Sequence, residues 1–421
     1  MRLKIKYEQF TIENLMNSDF SMLSILVFSC LIQFYLGFAN PAFNEGNKCW
    51  RPITQVVESK EVDLEGTDAD KRLVQRFARL FPYYQMNCDD GYFLRLLQRG
   101  FPKSFEKFPV LIDQPFYPFL VFLLLKPVGL LIDTKSMSVI FAVAVIANLL
   151  MLMGGVALFY RLLNEIISSQ VAFLSGLLLV FSPLVHIWLV QSTSTGIMEI
   201  FIIIMFLYLL NRYRMSPSPK RLVIFSLLAG ILMTGKMIFA LGFFVMCLGW
   251  YYKRISESVL FGVIHLIPFG LWYLYVEWIL DIPFGIATIT DYHFGIWLID
   301  LFSMPWNDLL LILTRTIPRY FQTVVEGFFL LPVILSLYGL HCWQNHHKYQ
   351  IYILYTVSFM ALFFIMNYFI PRLSFFLFPI IYPTAVVGLQ KLPHARFFSP
   401  VIYAAIIIIS NINVYKILEY G

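Results

Sequence analysis

Residues 137–160 (MSVIFAVAVIANLLMLMGGVALFY) pass without one charged side chain. A helix crossing the hydrocarbon core of a bilayer needs about 20 predominantly apolar residues, and this run meets that length. Comparable runs recur at 20–38, 169–190, 195–211, 221–235, 237–252, 257–280, 322–342, 349–369, 373–390 and 398–416. The composition agrees: 59% of the 421 residues are hydrophobic and 13% charged, where a soluble domain carries about 25% charged residues. No water-soluble core of this length would take up 42 Phe side chains. The sequence therefore predicts an all-α, multi-spanning integral membrane protein. Its formal charge of +6 does not point to nucleic acid, because Lys and Arg collect in short cytoplasmic loops of such proteins. A polar start with Arg2, Lys4 and Lys6 precedes the first apolar run, and no small-residue cleavage site follows it. That pattern reads as a signal anchor with a cytoplasmic N-terminus.

Segment 116–132 (FYPFLVFLLLKPVGLLI) is apolar but short, and is broken by Pro118, Lys126, Pro127 and Gly129. It either spans or lies half-buried along the interface. Short basic stretches occur at Arg161, at Arg212 to Arg214 with Lys220 and Arg221, at Lys253–Arg254, at Lys348, and at Lys391 with Arg396. All fall on the side of the N-terminus if 116–132 does not cross and 221–252 crosses twice, turning at Thr234-Gly235-Lys236. The expected count is then eleven spans. Residues 1–19 form a cytoplasmic start. A transmembrane module covers 20–280 and includes a long outer loop at 39–115. A second outer loop covers 281–321, and helices at 322–421 close the chain with no soluble domain. Ser192–Thr195, Lys236 and Arg372 are expected on the outer side.

The outer loops carry the chemistry. "DADKRLVQRFARLF" (68–81) and "DGYFLRLLQRG" (90–100) place apolar residues at helical spacing among basic ones. Both read as amphipathic surface helices, the second stopping at Gly100. Asp89 and Asp90 stand at the start of the second. One Asp there serves as an N-cap; a second is surplus to that role. Asp113 lies where the chain re-enters lipid, a costly depth for a carboxylate that is neither paired nor functional. Lys236 either snorkels or meets a phosphate. Arg372 either anchors to headgroups or binds phosphate through its planar fork. His186 and His293 read as structural rather than ligating. Acids and cations on one membrane face suggest chemistry on a lipid-linked phosphate, with a carboxylate as general base toward an acceptor hydroxyl and cations stabilising the leaving phosphate. The five cysteines lack metal spacing. Cys30, Cys247 and Cys342 read as core thiols. Cys49 and Cys88 share the first outer loop and either pair, if it faces an oxidising compartment, or stay free.

"CDDGYFLRLLQRG" (88–100), "DQPFYPFL" (113–120), "FSPLVHIWLVQSTSTGIMEIFIIIMFLYLLNRYR" (181–214) and "AGILMTGK" (229–236) occur in that order. In order and spacing the chain resembles the polytopic GT-C glycosyltransferases, the superfamily of protein O-mannosyltransferases and lipid A aminoarabinose transferases. The likeness covers about residues 20–390. It implies a GT-C-like fold and transfer of a single sugar from a polyprenyl-phosphate donor to a cell-envelope acceptor on the outer face, with inversion. It implies Asp89 as the catalytic carboxylate, with Asp90 as second choice, and Lys236 and Arg372 on the donor phosphate. Asp113 would lie near the acceptor or a divalent metal ion, the one cofactor implied. Asp291 and His293 in "TDYHFGIW" match a loop near the site in some relatives. The chain departs from the pattern at Thr195-Gly196, where many relatives carry an acid; Glu199 follows about one turn later. The partners implied are the lipid-linked donor, the envelope acceptor and membrane lipids, with no nucleic acid. No Asn-x-Ser/Thr sequon occurs, which favours a bacterial inner membrane over the endoplasmic reticulum. Two other readings stand beside this one. A transporter or flippase would show inverted repeats and charges within mid-membrane helices. An O-antigen polymerase or ligase would place its catalytic residues in a large late loop.

Overall fold

The computed structural model describes residues 19–39, 51–52, 85–86, 96–98, 100–102, 115–130, 137–190, 196–235, 254–282, 305–342, 355, 357, 375–392 and 395–412. The chain is an all-α membrane protein. Four described stretches are long and apolar enough to cross a bilayer: Asp19–Leu36, Val139–Asn164, Gly196–Met215 and Ile255–Ile279. In chain order the helices are α1 (Asp19–Ala39), α2 (Phe116–Val128), α3 (Met137–Asn164), α4 (Ser169–Val180), α5 (Pro183–Val190), α6 (Gly196–Met215), α7 (Pro219–Met233), α8 (Ile255–His265), α9 (Ile267–Leu274), α10 (Trp306–Phe328), α11 (Leu330–Cys342), α12 (Phe378–Lys391) and α13 (Ala395–Ile412). A π-helical turn, Tyr275–Ile279, follows α9.

Apolar side chains occupy both the inside and the outside of this bundle. On α1, Met22, Leu26, Cys30 and Gln33 face inward at helical spacing, while Phe20, Ile25, Phe28, Leu31 and Tyr35 are exposed. Only 28% of the α1 span and 17% of Ile255–Ile279 are buried, against 67% of the α3 span and 61% of α6. Central helices therefore bury most of their surface, and peripheral ones present apolar faces to the surroundings, as lipid-facing helices do.

Polar side chains fix which way the helices run. Tyr160 Oη donates to Asp19 Oδ1 at 2.8 Å, and Asn164 Nδ2 donates to the same oxygen at 3.3 Å. Arg212 pairs with Glu165 at 2.9 Å, with Asn211 Nδ2 on that carboxylate at 2.6 Å. Tyr213 donates to Glu257 at 2.5 Å, and Arg254 pairs with Glu257 at 3.3 Å. With Ser169 Oγ donating to Asn164 Oδ1 at 2.7 Å, these bonds gather the start of α1, the end of α3, the start of α4, the end of α6 and the start of α8 at one end of the bundle. Arg161, Arg212, Arg214, Lys220, Arg221 and Arg254, six of the described basic residues, lie at or beside these helix ends, as charge asymmetry predicts. Since α1 leaves this end and α3 returns to it, residues 40–136 begin and end at the far end. α2 has 13 residues, about 20 Å of helix, short of the roughly 30 Å core.

Three expected spans carry a local break in the helix, Ile255–Ile279 still being long and apolar enough to cross. The 169–190 run divides at Ser182, whose hydroxyl accepts from Val185 N–H at 3.3 Å, while Pro183 opens α5. The 257–280 run divides at Leu266; Pro268 has no N–H to bond back to Ile264, so the helix restarts. The 322–342 run divides at Phe329, held at φ 63°, and the helix before it begins at Trp306, within the expected second outer loop. Expected spans at 237–252 and, but for Tyr355 and Val357, 349–369 lie outside the described residues, as does the surface helix at 68–81. The other surface helix ends as expected. Residues 96–98 are helical with Leu96 and Leu97 buried, and Gly100 stops the turn at φ 96°. One feature escaped the reading: Arg51–Pro52 and Gln85–Met86 form a two-residue antiparallel ladder within the first loop.

Where helices touch most closely, the contact residues are small. A Cβ added at Gly339 would strike the Thr384 carbonyl, and one at Gly388 the Leu335 carbonyl. Beside them Ser336 and Thr384 share a buried hydrogen bond at 2.6 Å. Gly339→Ala is therefore expected to destabilise the α11–α12 contact by about 1–3 kcal/mol or more, since overpacking here meets backbone. Gly262→Ala, with nothing within 4 Å of the added Cβ, serves as the control. Thermal unfolding in detergent checks this, and equal midpoints for the two variants would refute the contact.

Candidate functional site

Asp89, Asp90, Asp113, Lys236, Asp291, His293 and Arg372 all lie outside the described residues. The structure describes segments that adjoin several of them in sequence. α7 ends at Met233, capped by Thr234, whose hydroxyl donates to Ile231 O at 2.7 Å. Gly235 follows, tucked against Met198 and Ile202 of α6; an added Cβ would lie 2.7 Å from Ile202 Cδ1 and 3.2 Å from Met198 Cε. Lys236 is the next residue.

The exit of the first loop joins this turn directly. Phe116 N–H donates to Thr234 O at 3.3 Å. Each is a helix-end group with no partner in its own helix: the first N–H of α2, and the carbonyl just past α7. Each satisfies the other. The "DQPFYPFL" stretch behaves accordingly. Pro115 is buried ahead of α2, costing no helical hydrogen bond there. Tyr117 is fully buried, with Val121 and Leu125 one and two turns on. Asp113 precedes Phe116 by three residues.

The chain is fastened to the bundle just past the helical residues 96–98. Past Gly100, the Phe101 ring lies parallel to Trp272 of α9 at 6.3 Å. It also meets Phe119 at 6.1 Å and Phe122 at 5.8 Å. One aromatic side chain thus ties the first loop to both α2 and α9.

Below this surface lies a set of buried polar side chains. His186 of α5 is 4% exposed, and its Nδ1 is 3.0 Å from Gln33 Nε2 of α1. With Gln33 as donor, Nδ1 is the acceptor and the ring's proton sits on Nε2. Glu199 is fully buried in the first turn of α6, where the positive end of the helix dipole favours a carboxylate. Asn148 of α3 is fully buried as well. In sequence Glu199 lies about one turn past the position where many relatives of the resembled family carry an acid. The signal that would have found it is an acid at the first turn of an otherwise apolar span. Among the described residues, no group of three or more His, Cys, Asp or Glu is placed to hold a metal ion.

If His186 is structural, its bond to Gln33 contributes about 0.5–1.5 kcal/mol, and a double-mutant cycle recovers that coupling. Gln33→Leu and His186→Leu are each expected to lower the unfolding midpoint in detergent, and the double variant to fall short of the sum. A strictly additive pair would remove the bond from the account of the fold.

No protein-family model matches the chain, and no curated protein matches it significantly.

Proposed function

We propose that the protein is a GT-C-type glycosyltransferase of eleven spans, seated in a bacterial inner membrane. It moves one sugar from a polyprenyl phosphate to an envelope acceptor on the outer face. The observation that carries this reading is the hydrogen bond between Phe116 N–H and Thr234 O. A chain advances at most about 3.6 Å per residue. Asp113 is therefore tethered within about 11 Å of one partner, and Lys236 within about 7 Å of the other. That contact supports a reading in which an acid and a cation from distant parts of the sequence work at one end of the bundle. The ring of Phe101 against α2 and α9 holds the segment that follows Asp89 and Asp90 to that same end.

In the proposed reaction Asp89 takes the proton from an acceptor hydroxyl, and the oxygen attacks the anomeric carbon from the face opposite the lipid phosphate. The bond to that phosphate breaks, and configuration inverts. Lys236 and Arg372 hold the departing phosphate, whose charge rises as the bond breaks. Asp90 is the second choice for the base, and Asp113, Asp291 and His293 stand toward the acceptor. Where the acceptor is itself a phosphate, it arrives ionised and Asp89 orients it.

One observation favours the transporter reading. Glu199 and His186 are buried within helices, where a solute path places ionisable groups. The two readings separate by product. Mass spectrometry of envelope glycans and glycolipids is expected to lose a single-sugar mass in a deletion strain. The wild-type gene restores it, and Asp89→Asn at matched expression does not. General-base catalysis is worth about 10²–10⁴, so a turnover loss below about tenfold would remove Asp89 from that role. An unchanged glycan profile in the deletion would favour transport instead.

A further inference from the structure

We propose that the charged end of the bundle binds an anionic phospholipid, with its phosphate on the cations of the α6–α7 turn and its acyl chains along α7 and α8. Three features meet there: an excess of cations, a turn that holds them in place, and apolar helix faces that descend from it.

At this end Arg161, Arg212, Arg214, Lys220, Arg221 and Arg254 are all exposed, and the described carboxylates beside them are Asp19, Glu165 and Glu257. Six cations against three acids leave a net charge of +3. Each acid is already engaged: Asp19 by Tyr160 and Asn164, Glu165 by Arg212 and Asn211, Glu257 by Tyr213 and Arg254. Arg161, Lys220 and Arg221 make no ion pair among the described residues. Two of these three cations open α7. Ser218 caps that helix, its hydroxyl accepting from Arg221 N–H at 3.3 Å, and Arg221 Nη1 donates across the turn to Ser216 O at 3.0 Å. That bond uses one guanidinium N–H and leaves the rest of the planar fork for a phosphate. Lys220, next in the chain, adds a compact charge beside it.

The helices below the turn supply the apolar half of the site. Gly230 of α7 lies against the His265 carbonyl of α8. Both residues stand about 15–17 Å of helix past the starts of α7 and α8, so the two helices leave the charged end side by side and parallel. The Phe225 and Phe261 rings, 4.9 Å apart, fill the seam between them. Ile224, Leu228 and Ile231 of α7 recur at one-turn spacing and are exposed, as are Ile255, Val259 and Val263 of α8. A neutral lipid matches these apolar faces alone. The net positive charge at their head selects one with an anionic headgroup, as basic sites at the cytoplasmic ends of membrane helices do. The site lies at the end of α7 opposite Thr234, goes beyond the proposed chemistry and does not depend on sugar transfer.

The test is native mass spectrometry of the purified full chain in detergent, titrated with phosphatidylglycerol or with phosphatidylcholine of the same chains. Phosphatidylglycerol is expected to bind the more tightly. Lys220→Gln removes one cation that makes no ion pair, and is expected to weaken phosphatidylglycerol about fivefold. Adding Arg221→Gln is expected to bring the loss above about tenfold, with phosphatidylcholine binding unchanged in both variants. Lys126→Gln, which removes a cation from α2, is expected to leave phosphatidylglycerol binding as it was. Equal affinity for the two lipids overturns the proposal, as does wild-type phosphatidylglycerol affinity in both Lys220→Gln and the double variant. A drop for both lipids alike overturns it too, since that marks damage to the fold and not loss of a headgroup contact. Displacement of bound phosphatidylglycerol by inorganic phosphate would assign the cations to a soluble anion and overturn the lipid. Because the readout is a bound lipid mass and not a product, the outcome stands whether or not sugar transfer is found.

Discussion

Lipid supplies no hydrogen bonds, so every polar group in the hydrocarbon layer must find its partner within the protein. Most polar side chains are accordingly driven to the two ends of the bundle, and at one end they bind each other. Asp19 receives Tyr160 and Asn164. Glu165 receives Arg212 and Asn211. Glu257 receives Tyr213 and Arg254. As isolated exposed pairs these bonds would contribute little to stability. Their larger effect is geometric: they decide where α1, α4 and α8 start and where α3 and α6 stop. Which helix ends share the far end follows from that belt.

Between the ends, the hydrophobic effect does little to join helix to helix, because lipid tails are as apolar as Leu. Close backbone approach and buried hydrogen bonds take over. The α11–α12 contact uses Gly339 and Gly388 with the Ser336–Thr384 pair. α7 approaches α8 and α9 through Gly230, which lies against the His265 carbonyl and Pro268. α1 meets α5 through Gln33 and His186, and α4 through Gly176 under Leu26. The break at Ser182–Pro183 is buried among neighbouring helices, whereas that at Leu266 leaves Leu266 and Ile267 exposed.

Fold class was legible because apolar runs near 20 residues have few other fates, and the stop at Gly100 because a helix end at positive φ selects glycine. The break at Phe329 was not legible: a bulky residue at positive φ leaves no mark in hydropathy. Nor was the ladder at 51–52 and 85–86, since two residues are too short for any period to register. Thr234, Gly235 and Phe116 lay within stretches already singled out around Lys236 and Asp113. Their joining was invisible because a backbone hydrogen bond between distant segments depends on no side chain. Glu199 was visible as a residue and discounted by spacing along the chain, whereas burial around the helix axis is what sets its surroundings.

The bond between Phe116 and Thr234 couples two parts of the proposed site mechanically. A helix start normally leaves N–H groups, and a helix end carbonyl groups, for water or caps to satisfy. Near the lipid boundary water is a poor substitute, and separating these two groups would leave both unsatisfied, at about 1–3 kcal/mol for each buried group. The first-loop exit and the Lys236 turn therefore move together or not at all. Gly235 wedged against Met198 and Ile202 extends the same constraint to the first turn of α6, where Glu199 is enclosed. A change that tilts α6 must shift the cap of α7, and through it the start of α2. The segments that lead to the acid side and to the cation side of the proposed chemistry thus meet in one continuous piece of backbone geometry.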